Sequence, residues 1–110
     1  TKIDGLESGL RNGNPDAQLM IARMAFLGAG MKKDETIAAE WTKRAAENGS
    51  GRAMGMLGML YLGGIGLEQD FYQAIYWLKK SGDAQAKDLA LRLEALQSAL
   101  KKLPPEERRK

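Results

Sequence analysis

A chain of 110 residues, 44% hydrophobic and 28% charged, has the length of one domain and enough apolar side chains for one core. It contains neither Cys nor His, which excludes disulfide frameworks, thiolate nucleophiles, histidine general bases and nearly every transition-metal site. The formal charge of +3 lies wholly in the last ten residues, where Lys101, Lys102, Arg108, Arg109 and Lys110 stand against Glu106 and Glu107. A nucleic-acid reader would carry its basic patch on a folded face with aromatics interleaved, so no nucleic-acid partner is expected. No apolar run approaches the ~20 residues of a membrane helix, so membrane insertion is not expected either.

The predicted elements are all helical. Residues 3–12, with Ile3, Leu6 and Leu10 on one stripe, predict a leading helix that Gly13-Asn14-Pro15-Asp16 separates from the next. Ala17, Ile21, Met24 and Ala25 then recur at the spacing of one helical face. Gly28-Ala29-Gly30 stops that helix, because glycine readily takes the left-handed conformation of a C-terminal cap. Asp34 is placed to cap a second helix whose apolar stripe is Ile37, Ala38, Trp41 and Ala45, closed by Asn48-Gly49. The plan repeats with Ala53, Leu57, Leu60 and Tyr61, then Gly63-Gly64-Ile65-Gly66, then Asp70, Ala74, Trp77 and Leu78. Asp83 caps a long helix over 83–103, on which Leu89, Leu93, Leu96, Leu100 and Leu103 alternate steps of four and three. Pro104-Pro105 ends it, and residues 104–110 read as a polar basic tail.

The duplication is measurable. A shift of 36 residues pairs Ala17 with Ala53, Met20 with Met56, Gly28 with Gly64, Gly30 with Gly66, Asp34 with Asp70, Ala38 with Ala74 and Trp41 with Trp77. A fixed period of this length marks a repeat architecture, in which no unit buries its apolar face alone. The single domain therefore divides into a leading helix (3–12), repeat 1 (13–49), repeat 2 (50–82), a long capping helix (83–103) and the tail.

Leu57-Gly58-Met59-Leu60-Tyr61, Gly64-Ile65-Gly66-Leu67, Asp70, Ala74 and Trp77 resemble the Sel-one-like repeat, a relative of the tetratricopeptide repeat. The first unit matches most strongly in its second half, at Gly28, Gly30, Asp34, Ala38, Ala39, Trp41, Ala45, Ala46 and Gly49. It departs where Ala22 and Ala25 stand in place of the family's usual Gly and Tyr; the second unit departs at Lys80-Ser81-Gly82, about three residues short. The resemblance covers roughly residues 13–90. It implies an all-α fold, an α/α solenoid of helix-turn-helix units used for protein–protein contact, often in bacterial envelope proteins and in regulatory or secretion assemblies. A periplasmic or envelope setting is thus an implication of the resemblance alone. The chain opens at Thr1 rather than Met, consistent with a mature or excised piece.

Enzyme chemistry finds little support. Gly28-Ala29-Gly30 and Gly64-Ile65-Gly66 follow no strand and lack both a third glycine and a Gly-Lys-Ser/Thr, so neither is a phosphate loop. Carboxylate pairs can cleave glycosides when two acids face one cleft, but Asp34 and Asp70 serve as caps and the other acids scatter. Asn48-Gly49-Ser50 matches the N-glycosylation triplet and is more simply a helix stop. A non-enzymatic module without metal or cofactor is expected.

Counting 100° per residue from Ala53 puts Met59 on the flank of its helix, with Arg23 and Arg92 equivalent in the neighbouring units and Phe26, Leu62 and Ala95 in the next row. In this class of solenoid that side lines the concave face. Arg23, Phe26, Met59, Leu62 and Arg92 are thus the candidate contacts for a partner peptide or helix with an acidic edge. Methionine suits an adaptable groove and equally fills cores. Leu96, Leu100 and Leu103 overhang the repeat; the first reading is that they cover the open end of the stack, and the alternative is that they pair with another subunit, as a homo-oligomer, or with an absent segment of a longer protein. The leading expectation is an adaptor or scaffold that docks a protein segment; the rivals are a regulator or inhibitor that blocks an enzyme, and a structural segment of a larger envelope protein.

Overall fold

The computed structural model describes residues 13–108, and among them every regular element is a helix. These are α1 (Pro15–Leu27), α2 (Glu35–Glu47), α3 (Gly51–Gly63), α4 (Phe71–Lys80), α5 (Ala84–Lys101) and α6 (Pro105–Arg108). The predicted leading helix 3–12, with Ile3, Leu6 and Leu10, lies outside the described residues.

Each long helix starts on a short polar side chain that accepts from an amide of its first turn, the groups a helix leaves unpaired. Asn14 Oδ1 accepts from Asp16 N at 2.8 Å, and Ser50 Oγ from Ala53 N at 3.1 Å. Asp34 accepts from Ile37 N at 3.0 Å, Asp70 from Gln73 N at 3.1 Å, and Asp83 from Ala86 N at 3.0 Å. The stops repeat as closely. Gly28 and Gly64 end α1 and α3 at φ 72° and 65°, their amides donating to the Met24 and Leu60 carbonyls. The two turns then close with the same long-range bond, Asp34 N to Ala25 O and Asp70 N to Tyr61 O, both 2.9 Å. Equal sequence at a 36-residue spacing has produced equal backbone.

Helices pack on their chain neighbours, α1 on α2, α2 on α3, α3 on α4 and α4 on α5. Small residues set how closely. Ala22, Ala25, Ala38, Ala39, Ala45, Ala46, Ala53 and Ala74 are all buried. A Cβ on Gly58 would overlap the Leu78 side chain, so α3 and α4 touch there through glycine. One cluster, Leu19, Ala22, Ala45, Ala46, Ala53, Met54, Leu57 and Trp77, joins both units, with Trp41 and Tyr61 packed at its edge. A second, Ile75, Leu78 and Ala90, fastens α5 through Ala86, Leu89 and Leu93. The Lys79–Glu94 ion pair also ties α4 to α5.

Several sequence expectations change. The buried side of α1 is Gln18, Leu19, Ala22 and Ala25, whereas Ala17, Ile21 and Met24 are only half-buried. The face is rotated because α1 meets α2 through its two alanines, and Gln18 is tolerated inside because its Oε1 accepts from Asn48 Nδ2 at 3.0 Å. On α2 Ile37 is exposed, and Ala39, Thr42 and Ala46 join the buried stripe. The Thr42 hydroxyl satisfies itself on the Ala38 carbonyl at 2.8 Å. Helix α4 has 10 residues against 13 in α2, the shortfall noted in the sequence. The expected tail 104–110 is not wholly irregular: α6 begins on Pro105, whose ring suits a first helical turn, with Glu106 and Glu107 at its positive end.

Gly66 is the most constrained glycine of the turns. Its φ is 73°, and a Cβ there would overlap the Glu35 carbonyl at the start of α2. Gly66→Ala is expected to cost about 2 kcal/mol or more, combining left-handed strain with a backbone clash. Gly49→Ala, at φ 99° with nothing within 4 Å, is expected to cost about 1 kcal/mol. Urea unfolding of both variants checks the ranking.

Candidate docking surface

The first helices of successive units, α1, α3 and α5, share one side of the molecule, and between them run two open furrows. Asp16, Leu19, Met20 and Arg23 of α1 face Ser50, Gly51 and Arg52 across the first. The second is lined by Arg52, Gly55, Met56 and Met59 of α3, by Ser81, Gly82 and Asp83 of the turn, and by Gln85, Ala86 and Leu89 of α5. The furrows exist because helices pack mainly on their chain neighbours: α1 and α3 are joined through α2, and α3 and α5 through α4.

Helical spacing explains the composition. On α3 the lining residues 52, 55, 56 and 59 step along one face. The same face on α1 is Asp16, Leu19, Met20 and Arg23, at an offset of 36. On α5, at an offset of 33, it is Gln85, Asp88, Leu89 and Arg92. Rows across the stack therefore read Met20, Met56, Leu89 and Arg23, Met59, Arg92.

Of the residues singled out from the sequence, Arg23 lines the first furrow and Met59 the second. Arg92 lies beyond both linings, exposed and paired with Asp88 one turn earlier, Nε to Oδ2 3.1 Å. Phe26 and Leu62 are half-buried and line neither furrow. Arg52 was missed by sequence reasoning although it borders both. Its signal was available: it stands seven residues before Met59 on the same face. Among the described residues neither Arg23 nor Arg52 takes part in an ion pair.

The methionines divide. Met54 is core, 8% exposed, and Met56 is half-buried with its sulfur 3.7 Å from the Thr42 hydroxyl. Met20 and Met59 are 49% and 48% exposed and face the furrows. Core filling explains the first pair and leaves the second unexplained by packing.

The opposite side, made by the second helices, is different in chemistry. On α2 the Arg44 guanidinium lies 4.4 Å from the Trp41 ring centroid and bonds Glu40 at 2.9 Å. On α4 Lys80 Nζ donates to the Tyr76 hydroxyl at 3.2 Å. These charges are used locally. The Asn48 amide is likewise engaged with Gln18, in keeping with its helix-stop role. Among the described residues no group of three or more acids gathers as a metal cage would require, and no helix is long and apolar enough to cross a membrane.

Comparison with known proteins agrees with this geometry. Two consecutive stretches, residues 15–50 and 51–85, match the model of the Sel1 repeat. Among solved structures, a Sel1 repeat protein from Oxalobacter formigenes is 35% identical with a TM-score of 0.75, over 82% of this chain and 70% of that one. A protective antigen present in uropathogenic Escherichia coli strains, which displays an SLR fold, is 37% identical with a TM-score of 0.71. That match covers 79% of this chain but only 19% of the antigen.

Met20→Gln and Met59→Gln are expected to leave stability within about 0.5 kcal/mol of wild type. Met54→Gln, which buries an amide without partners, is expected to cost about 2–3 kcal/mol. Parallel urea titrations read out all three.

Proposed function

Because the chain belongs to the Sel1 repeat family, whose members generally serve as protein–protein interaction modules, we propose that it is a non-enzymatic adaptor whose first-helix face docks a segment of a partner protein. The observation that carries this reading is the pair of open furrows with exposed methionines at their walls and Arg52 on the ridge between them. Thioether side chains adapt their shape to an incoming apolar group at little cost. Arginine holds a carboxylate in a fixed, two-pronged geometry. A partner segment with apolar anchors and an acidic edge satisfies both, with affinity from the buried anchors and orientation from Arg23 and Arg52. The display is rigid, because the helices that form the furrows are capped at their starts and fastened through buried alanines.

The furrow between α1 and α3 provides the cleaner test. A photo-crosslinking residue at Met20 is expected to capture a discrete partner in the source cell, and the same residue at Lys43, exposed on α2, is expected to capture none. Adding Arg23→Glu to the Met20 variant should reduce the adduct at least tenfold while helical circular dichroism stays unchanged. Equal labelling from Met20 and Lys43 would overturn the assignment of the face.

A further inference from the structure

In a chain without cysteine the six methionines are the most readily oxidised side chains, and the fold sorts their sulfurs. Met54 is buried in the core that joins the two units. Met56 is half-buried, its sulfur turned inward to the buried Thr42 hydroxyl at 3.7 Å. Met24 and Met31 are half-buried as well. Met20 and Met59 are exposed, and each stands on the wall of a different furrow. The stack thus presents one open thioether in each furrow and covers the others wholly or in part.

The exposed pair is also placed where one added oxygen changes most. Arg23 stands three residues after Met20, one turn along the same face, and Arg52 borders the same furrow. Neither guanidinium takes part in an ion pair among the described residues. Met59 shares its own furrow with Arg52. We propose that Met20 and Met59 are reversible oxidation sites that switch the furrowed face between a state that docks its partner and a state that refuses it. This inference rests on the docking function proposed above and supplies its regulation.

The oxidant is hydrogen peroxide. A sulfur lone pair attacks one peroxide oxygen, and the S–O bond forms as the O–O bond breaks. The departing hydroxide takes the proton of the transferred oxygen and leaves as water, so sulfur loses two electrons and peroxide gains them. A thiol-dependent sulfoxide reductase reverses the step: two thiols become a disulfide and the sulfoxide oxygen leaves as water. The oxygen acts on docking in two ways. The furrow wall turns from soft and apolar to polar, so apolar anchors lose their surface. The sulfoxide oxygen of Met20 is a strong acceptor one turn from Arg23, and it takes up donors that would otherwise hold a partner's carboxylate. A docked segment covers the same sulfurs, so the bound and oxidised states exclude each other. The fold itself is insulated, because neither side chain belongs to the core cluster.

Peptide mapping by mass spectrometry after dilute hydrogen peroxide is expected to show Met20 and Met59 oxidised at least tenfold faster than Met54 and several-fold faster than Met56. Helical circular dichroism should stay unchanged. Photo-crosslinking residues at Asp16 and Gln85, exposed on the first and second furrows, then report docking when the purified chain, freed of peroxide, is added to source-cell extract. Oxidation should lower the adduct from either position at least fivefold, and treatment with methionine sulfoxide reductase should restore it. Met20→Leu/Met59→Leu should capture as the unmodified chain does and ignore peroxide, whereas Met20→Gln/Met59→Gln should mimic the oxidised chain without it. Uniform oxidation of all six methionines, loss of helicity when only Met20 and Met59 are oxidised, or capture indifferent to their sulfoxides would each overturn the switch and leave the docking face standing. No adduct from either probe before oxidation would overturn the docking face, and the switch with it.

Discussion

Everything in this molecule depends on how closely one helix can approach the next. The solenoid has no wide interior to fill; its core is a line of contacts between pairs of cylinders, and the residues at those contacts are mostly alanine and glycine. Leu78 sits where a Cβ on Gly58 would stand, and the Glu35 carbonyl sits where a Cβ on Gly66 would stand. Such contacts forbid side chains on one partner and thereby fix the register of hairpin against hairpin. Larger groups, above all Trp77 and Leu57, fill the space that remains.

That constraint also generates the furrowed face. With α2 holding α1 and α3, and α4 holding α3 and α5, the first helices are brought side by side without closing on one another. Their facing edges remain available, and the exposed side chains on those edges, Met20, Arg23, Arg52 and Met59, are free of core duties. The furrows are consequently a by-product of stacking, and the methionine and arginine side chains on their walls set their chemistry.

Most of the fold was legible because the repeat is written in local chemistry. Asp34, Asp70 and Asp83 announce helix starts, and Gly28 and Gly64 announce stops, through forces that act over four residues and survive any tertiary context. What resisted reading was rotational. The core face of α1 was displaced toward Gln18 and Ala22 because the decision lies with the neighbour, and Gln18 becomes a core residue only when Asn48, thirty positions later, arrives to satisfy it. The site suffered in the same way: Arg23 and Met59 fell on furrow walls as spacing suggested, Arg92 was diverted to Asp88, and Arg52 escaped notice because nothing local distinguishes it from any helical arginine.

Because contacts run almost entirely between consecutive helices, the average loop closed during folding is short. The entropic toll of bringing distant stretches together, which slows sheet proteins by orders of magnitude, hardly arises. The same arrangement makes the described residues a short zipper rather than a knot: among them α1 and α5 each pack mainly on one long helix and α2, α3 and α4 on two, so amide protection is expected to rise toward α3. The furrowed face, with α3 at its centre, is thereby mounted on the part of the stack with the most helical neighbours among the described residues.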